Sequence, residues 1–187
     1  MPYLTRAQSF GLILLRTLIG WHFLYEGYYK LVLPGWTRAG QPLAHWSAAG
    51  YIKGATGPLA NMLQPLASSG AIGWIDILIP VGLLLVGLSL MLGFFTRLGA
   101  LGALCFLTVF YLTAIPFDGV PRPNQEGTYL IVSKNLIEWA AVFVLFTFNT
   151  GRIAGIDAAW PRRGTRAVAP PVNQTVTSDR AARHIEI

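Results

Sequence analysis

IGWIDILIPVGLLLVGLSLMLGF, residues 72–94, is the stretch that decides the fold. It carries a single charge, Asp76, near its start, and no polar residue recurs at helical spacing to mark a wet face. A surface helix of a soluble protein sets an apolar stripe against a polar one. A run of roughly 20 apolar residues without that alternation matches the hydrocarbon thickness of a bilayer instead. Working outward, residues 98–115 read the same way, and residues 10–33 and 129–148 are apolar over similar lengths. Pro34-Gly35, the turn Gly93 to Arg97, and Pro116 to Gly127 separate the four runs. The pattern predicts an all-α protein, an integral membrane four-helix bundle with spans at about 10–33, 72–94, 98–115 and 129–148.

Composition agrees. Hydrophobic residues make up 53% of the 187 and charged residues 12%, and 12% is roughly half the charged share of a soluble domain. The net charge of +6 raises the question of nucleic acid, but the arginines flank apolar runs and fill the tail. They form no basic patch interleaved with aromatics, so no nucleic-acid partner is expected. They read as an orientation signal. Arg6, Arg97, Arg152, Arg162, Arg163 and Arg166 gather on one side, whereas Arg38, Lys53 and Arg122 are spread through longer loops on the other. The first side is expected to be cytoplasmic, with both termini on it. The first run is too long for a signal-peptide core, carries internal charges and is followed by no small-residue cleavage site, so it reads as an uncleaved anchor.

The expected organisation is a transmembrane domain over 1–160, with outer loops 34–71 and 116–128, and a disordered basic cytoplasmic tail over 161–187. The first loop is unusually apolar, with Trp36, His45, Trp46, Tyr51, Met62 and Leu66, and loops of that content and length tend to be lids or interfacial helices. Cys105 is the lone cysteine and lies in an apolar run, where it reads as a small buried hydrophobe. The sequence has no CxxC and no Cys/His set for a metal, and no haem or flavin motif. Any redox chemistry has to use a borrowed cofactor or a partner.

An ionisable group at bilayer depth costs roughly 2.5–3.5 kcal/mol on insertion scales, yet the spans contain several. Arg16, His22, Glu26 and Lys30 fall within an arc of roughly 120° at 100° per residue, with Phe23 inside the arc and Gly27 beside it. In the fourth span Lys134 and Glu138 are one turn apart, with Asn135 adjacent. Alternating span direction places Glu26, Lys30, Asp76, Lys134 and Glu138 at one depth, under the outer loops, and His22 and Arg16 continue the polar line toward the cytoplasm. Each has a plainer reading. Lys30 can snorkel to the interface. Glu26–Lys30 and Lys134–Glu138 can be pairs that only neutralise each other. His22 can be a satisfied interior histidine, with no second His at metal spacing, and Asp76 can cap its own helix. Tyr111 and Trp139 can be packing aromatics. Agreement in depth favours a shared site over these separate readings.

At Arg16, Gly20, Phe23, Gly27 and Lys30, in Gly93-Phe94-Phe95-Thr96-Arg97, in Lys134-Asn135-Leu136-Ile137-Glu138, and in Gly151-Arg152 to Gly155-Ile156-Asp157, the sequence resembles the DoxX family. That family includes the related DoxD-type membrane subunits of thiosulfate:quinone oxidoreductase. The likeness covers about residues 10–157. It implies a four-helix, multi-pass protein of the bacterial inner membrane, often a small subunit of an oxidoreductase that passes electrons to quinone. Lys30, Asn135 and Glu138 carry over as functional positions.

The leading expectation is a membrane subunit of a quinone-linked oxidoreductase. A quinone headgroup needs donors for its carbonyls and a carboxylate or histidine for its protons. Lys30, Lys134 and Asn135 would be the donors, and Glu26, Glu138, Asp76 and His22 the proton carriers. Phe23, Tyr111, Trp139 and the loop aromatics would surround the ring. The alternative is a non-catalytic anchor or assembly subunit that docks a partner redox enzyme through the first loop. A small transporter or proton channel is third, and the lack of an inverted repeat and of paired helix breaks weighs against it. Expected partners are membrane lipid and either other subunits of a redox complex or further copies of the chain.

Overall fold

The computed structural model of the chain describes residues 4–32, 46–115, 128–129 and 131–159. Pro34 to His45 with Trp36 and Arg38, the second loop through Gly127 with Arg122, and the tail 161–187 lie outside the described residues.

Helix α1 (Arg6–Val32) starts earlier than hydropathy predicts. Thr5 and Gln8 form a capping box: each backbone N–H donates to the other's side-chain oxygen, at 2.8 and 3.2 Å. Between α1 and the next long helix, residues 46–71 fold as a lid built from α2 (Ala49–Lys53), α3 (Ala60–Leu63) and a 3-10 turn, Gln64–Ser68. Helix α4 (Ile72–Leu92) ends at Gly93, whose φ of +65° is the left-handed conformation a helix stop favours. Helix α5 (Thr96–Thr113) follows after three residues, Gly93 to Phe95. A short hairpin, β1 (Thr128–Tyr129) with β2 (Val132–Ser133), precedes α6 (Lys134–Phe148). The predicted fourth span therefore loses its first turn. Ser133 is the reason: its hydroxyl accepts from the Leu136 N–H and caps α6 at Lys134. A 3-10 turn, Thr150–Arg152, and α7 (Ile156–Ala159) complete the described chain.

The four long helices pack in a cycle, α1 on α4, α4 on α5, α5 on α6 and α6 back on α1, each antiparallel to its neighbours. The α1–α4 contact is the most extensive and is made by small residues. A Cβ on Gly27 would lie 2.6 Å from both the Leu84 nitrogen and the Pro80 carbonyl oxygen, and one on Gly87 would lie 2.6 Å from the Leu24 Cα. The backbones touch, as in small-residue contacts between helices in lipid. The core between the helices is Phe23, Leu83, Val86, Leu90, Leu104, Leu107, Val142 and Leu145 with smaller neighbours. A satellite core under the lid joins Ala48, Ile52 and Ala67 to Trp46, Leu63, Ile75 and Ile79.

Outward faces are apolar on every long helix: Phe10 and Leu18 on α1, Leu78 and Leu85 on α4, Leu98 on α5 and Ile137 on α6 are each more than half exposed. A soluble monomer does not leave that much contiguous apolar surface wet, and lipid is the solvent that fits. Among the described residues, α4 and α5 are long and apolar enough to cross a membrane by length and composition. The charged face of α1 dilutes its hydropathy. Helix α6, with 15 residues, is about 22 Å long at 1.5 Å per residue. Cys105 faces outward and is exposed, which corrects the expectation of burial: the apolar run around it faces lipid on that side rather than the core.

A lidded cavity with a charged wall

Where the lid covers the bundle, the helices enclose a half-open cavity of about 480 Å³. Its polar wall comes from α1 and α6: His22, Glu26, Lys30, Lys134, Asn135 and Glu138. The opposite wall is Ile75, Ile79, Leu83 and Leu107, and the lid adds Trp46, Tyr51, Ile52 and Leu63. The site is thus amphipathic, charged on one side and greasy on the other, and every long helix contributes to it.

The charges pair, but not as helix arithmetic suggests. Glu138 reaches across to α1, where its Oε1 lies 2.5 Å from His22 Nδ1. Glu26 and Lys30 pair along one turn of α1, and the Lys30 ammonium also sits over the Trp46 ring, 5.7 Å from its centroid. Lys134 is exposed, and among the described residues it joins no ion pair. The Glu138 side chain is 10% exposed, and its second oxygen, Oε2, is buried with no hydrogen-bond partner among the described residues. An orphaned buried acceptor is rare enough to ask what satisfies it.

Three residues expected at the site stand elsewhere. The Asp76 carboxylate accepts from the Ala48 N–H at 2.7 Å; it caps the lid helix α2 rather than its own helix and does not line the cavity. Tyr111 donates to the Ile131 carbonyl at 2.9 Å, tying α5 to the hairpin. Trp139 stacks on Phe143 and donates to Thr108 Oγ1 at 3.1 Å. Phe23, 3% exposed, lines the cavity from within the core. Phe110 and Thr113 line it too. Nothing in the sequence marks those two, because an aromatic or a hydroxyl inside an apolar run looks like ordinary span. The lid is fastened over the site by two amides, Thr56 and Gly57, which donate to the Thr113 carbonyl at 3.1 and 3.0 Å. The Tyr51 hydroxyl donates to the Phe110 carbonyl at 3.1 Å.

Arg16 stands at the other end of α1 from the cavity, on the side toward which the polar line is expected to run. It is 3% exposed and belongs to a clasp at the opposite end, donating to the Thr150 carbonyl at 2.9 Å. Beside it, Asp157 of α7 accepts from the Phe95 N–H, the Thr96 N–H and the Thr96 hydroxyl, each at 2.8 Å, and its own N–H donates to the Gly93 carbonyl at 2.9 Å. Helix α5 begins at a left-handed Phe95 whose side chain cannot cap, so a carboxylate from 61 residues away serves as the cap. Partial burial tends to raise the Asp157 carboxyl, but the hydrogen bonds from Thr96 and Phe95, with Arg16 nearby, hold it below its ordinary 3.8. The motif fragments thus divide between two ends: the charged wall at the lid, and the clasp of Arg16, the Gly93 turn and the Gly151–Asp157 exit.

Residues 11–115 match the family model DoxX. The match covers more than half of the chain and takes in α1, the lid, α4 and α5, while the α6 part of the charged wall lies beyond it. No curated protein and no solved structure matches the chain.

Proposed function

The chain belongs to the DoxX family, a membrane family often associated with oxidoreductase-related functions, and from that premise we propose that its lidded cavity is the quinone site of a redox assembly. The observation that carries the reading is the amphipathic cavity itself. About 480 Å³ falls within the usual range for a small-molecule site, apolar walls with a few convergent polar groups. An isoprenoid quinone has that division, a flat ring edged by two oxygens and an apolar tail. When bound it supplies reversible transfer of two electrons and two protons.

The chain's own residues do the rest. Lys30, Lys134 and Asn135 donate to ring oxygens and fix orientation. Phe23, Trp46, Tyr51 and Phe110 cover the ring faces. The lid covers one side of the cavity and limits its contact with water, which strengthens these interactions. His22 Nδ1 and Glu138 Oε1 hold one proton between them, and His22, 35% exposed, has a second ring nitrogen through which a proton can be passed on. In this reading all four long helices cross a bacterial inner membrane. The clasp end, with Arg6, Arg97 and Arg152, is cytoplasmic, and the lid faces outward. The short α6 is accommodated by tilt or local thinning of the bilayer. The exposed, stacked row Trp21, Tyr25 and Tyr29 on α1 supports a neighbouring subunit or second copy on that side.

Purified protein is expected to carry quinone into an organic extract, at a ratio that falls several-fold in the Lys30→Met, Lys134→Met double variant. An extract without quinone, together with no binding of an added short-chain quinone, would sink the reading in favour of a non-catalytic anchor.

A further inference from the structure

The lid hangs between two helices, and its two attachments differ in kind. At its exit the Thr56 and Gly57 amides donate to the Thr113 carbonyl, and the Tyr51 hydroxyl donates to the Phe110 carbonyl. A helix leaves its last carbonyls without intrahelical donors, so the end of α5 offers acceptors to a chain that passes close. The approach there is backbone on backbone: a Cβ on Gly57 would fall 1.9 Å from the Leu112 carbonyl oxygen. At its entry the lid is tied to α4 by a side chain instead. Asp76, the one charged residue of α4, accepts from the Ala48 N–H at 2.7 Å.

That bond sits at the root of the cavity's aromatic roof. Ala48 is 1% exposed and immediately precedes α2. Two residues before it Trp46 lines the cavity, and on α2 itself Tyr51 and Ile52 line it. Trp46 also covers the Lys30 ammonium. The remaining contacts between the lid and α4 are apolar, with Ala48, Ile52 and Ala67 clustered on Ile72, Ile75 and Ile79. Apolar burial is non-directional, so it holds the lid down without fixing its register. A hydrogen bond to a carboxylate has direction and is the stronger kind. We infer that Asp76 is a positioning residue for the cavity: by fixing Ala48 it sets Trp46 and Tyr51 over the site, and through Trp46 the Lys30 ammonium, without touching the ligand. The inference rests on the quinone reading above and adds to it the residue that preorganises the roof.

The test is a set of calorimetric titrations with decyl-benzoquinone on protein in phosphatidylcholine nanodiscs. Asp76→Ala removes the acceptor, so the roof has to be ordered as the ligand binds. With Trp46 and Tyr51 both released, that ordering should raise Kd about tenfold. Asp76→Asn keeps an oxygen that can accept from Ala48 and should stay within about threefold of wild type. Ala48→Pro removes the donor instead, and the Ala48 φ of −66° already suits proline. It should weaken binding to a similar degree, and Asp76→Ala added to it should change Kd by less than about twofold. Wild-type affinity in Asp76→Ala or in Ala48→Pro overturns the inference while leaving the quinone site standing. So does a loss that Asp76→Asn shares in full, or one that Asp76→Ala still causes in the Ala48→Pro background. If one of these two single variants does not fold, the other, compared with Asp76→Asn, decides. A wild type that binds no quinone overturns both readings.

Discussion

Asp157 satisfies three donors at the start of α5, and in α7 it is only partly buried. A capping side chain is worth about 0.5–2 kcal/mol, and two further hydrogen bonds to a carboxylate add to that, so Asp157→Ala should cost about 2–3 kcal/mol. The loss should appear as a lower unfolding temperature in detergent. The sign with pH follows from the carboxyl lying below its ordinary 3.8. A depressed acid contributes stability above its unfolded value and loses it as pH falls through the folded one. The difference between wild type and Asp157→Ala should therefore be full at neutral pH and shrink below about pH 4; a difference independent of pH would show that the carboxylate charge is not what the clasp uses. At this scale the sequence makes charges conspicuous, because Glu26 or Glu138 inside an apolar run has no other excuse for being there. Their partners are less readable. Helix arithmetic pairs Glu138 with Lys134 because both lie on α6, whereas the bond that forms crosses to His22 on α1. Asp76 is likewise visible as a charge, but its acceptor role is defined by the Ala48 amide of a lid whose path no periodicity describes.

Between elements, the α1–α4 contact sets how wide the cavity can be, since Gly27 lies one turn past Phe23 on the wall that α1 presents. The atoms a Gly27 side chain would strike are backbone, the Leu84 nitrogen and the Pro80 carbonyl oxygen, and backbone in a packed helix cannot swing aside. Gly27→Ala should lower stability by about 1–3 kcal/mol as an overpacked contact. Gly11→Ala on the same helix has nothing within 4 Å of the new methyl and gains helix propensity, so it should be neutral or stabilising by up to about 1 kcal/mol. Unfolding temperatures of the two variants in one detergent test the contrast, and similar losses at both positions would argue against close approach at Gly27. Helices α1, α4 and α5 begin or end within a few residues of where hydropathy places them, because long apolar runs bounded by Gly and Pro are strong signals. The start of α6 differs from the hydropathy boundary for a local reason: Ile131 and Val132 are apolar enough to extend the run, and the Ser133 cap cuts it. The first loop is legible in the sequence as a lid or interfacial helix, but its path is not, since its fold depends on the Thr113 carbonyl and on Asp76, both distant in sequence.

The molecule as a whole has two ends with different chemistry. One carries the lid, the cavity and the charged wall; the other carries the clasp and the arginines of the turns. The orientation reading predicts which end meets which compartment. In a Cys105→Ser background, Ser69→Cys on the lid should react with a membrane-impermeant maleimide in intact cells, while Arg97→Cys beside the clasp should react only after permeabilisation. The opposite pattern would invert the topology and put the cavity on the cytoplasmic side.

The clasp also bears on how the chain is made. Among the described residues the first amides of α5 find their acceptor in Asp157, 61 positions further along, so a nascent chain that has made three of its long helices still has a frayed α5. The bundle closes when α7 leaves the ribosome and Asp157 folds back onto Gly93 and Thr96. A product truncated ahead of Asp157 would keep all four long helices and remain unsealed at that end, a defect that proteolytic surveillance of newly made membrane proteins could recognise.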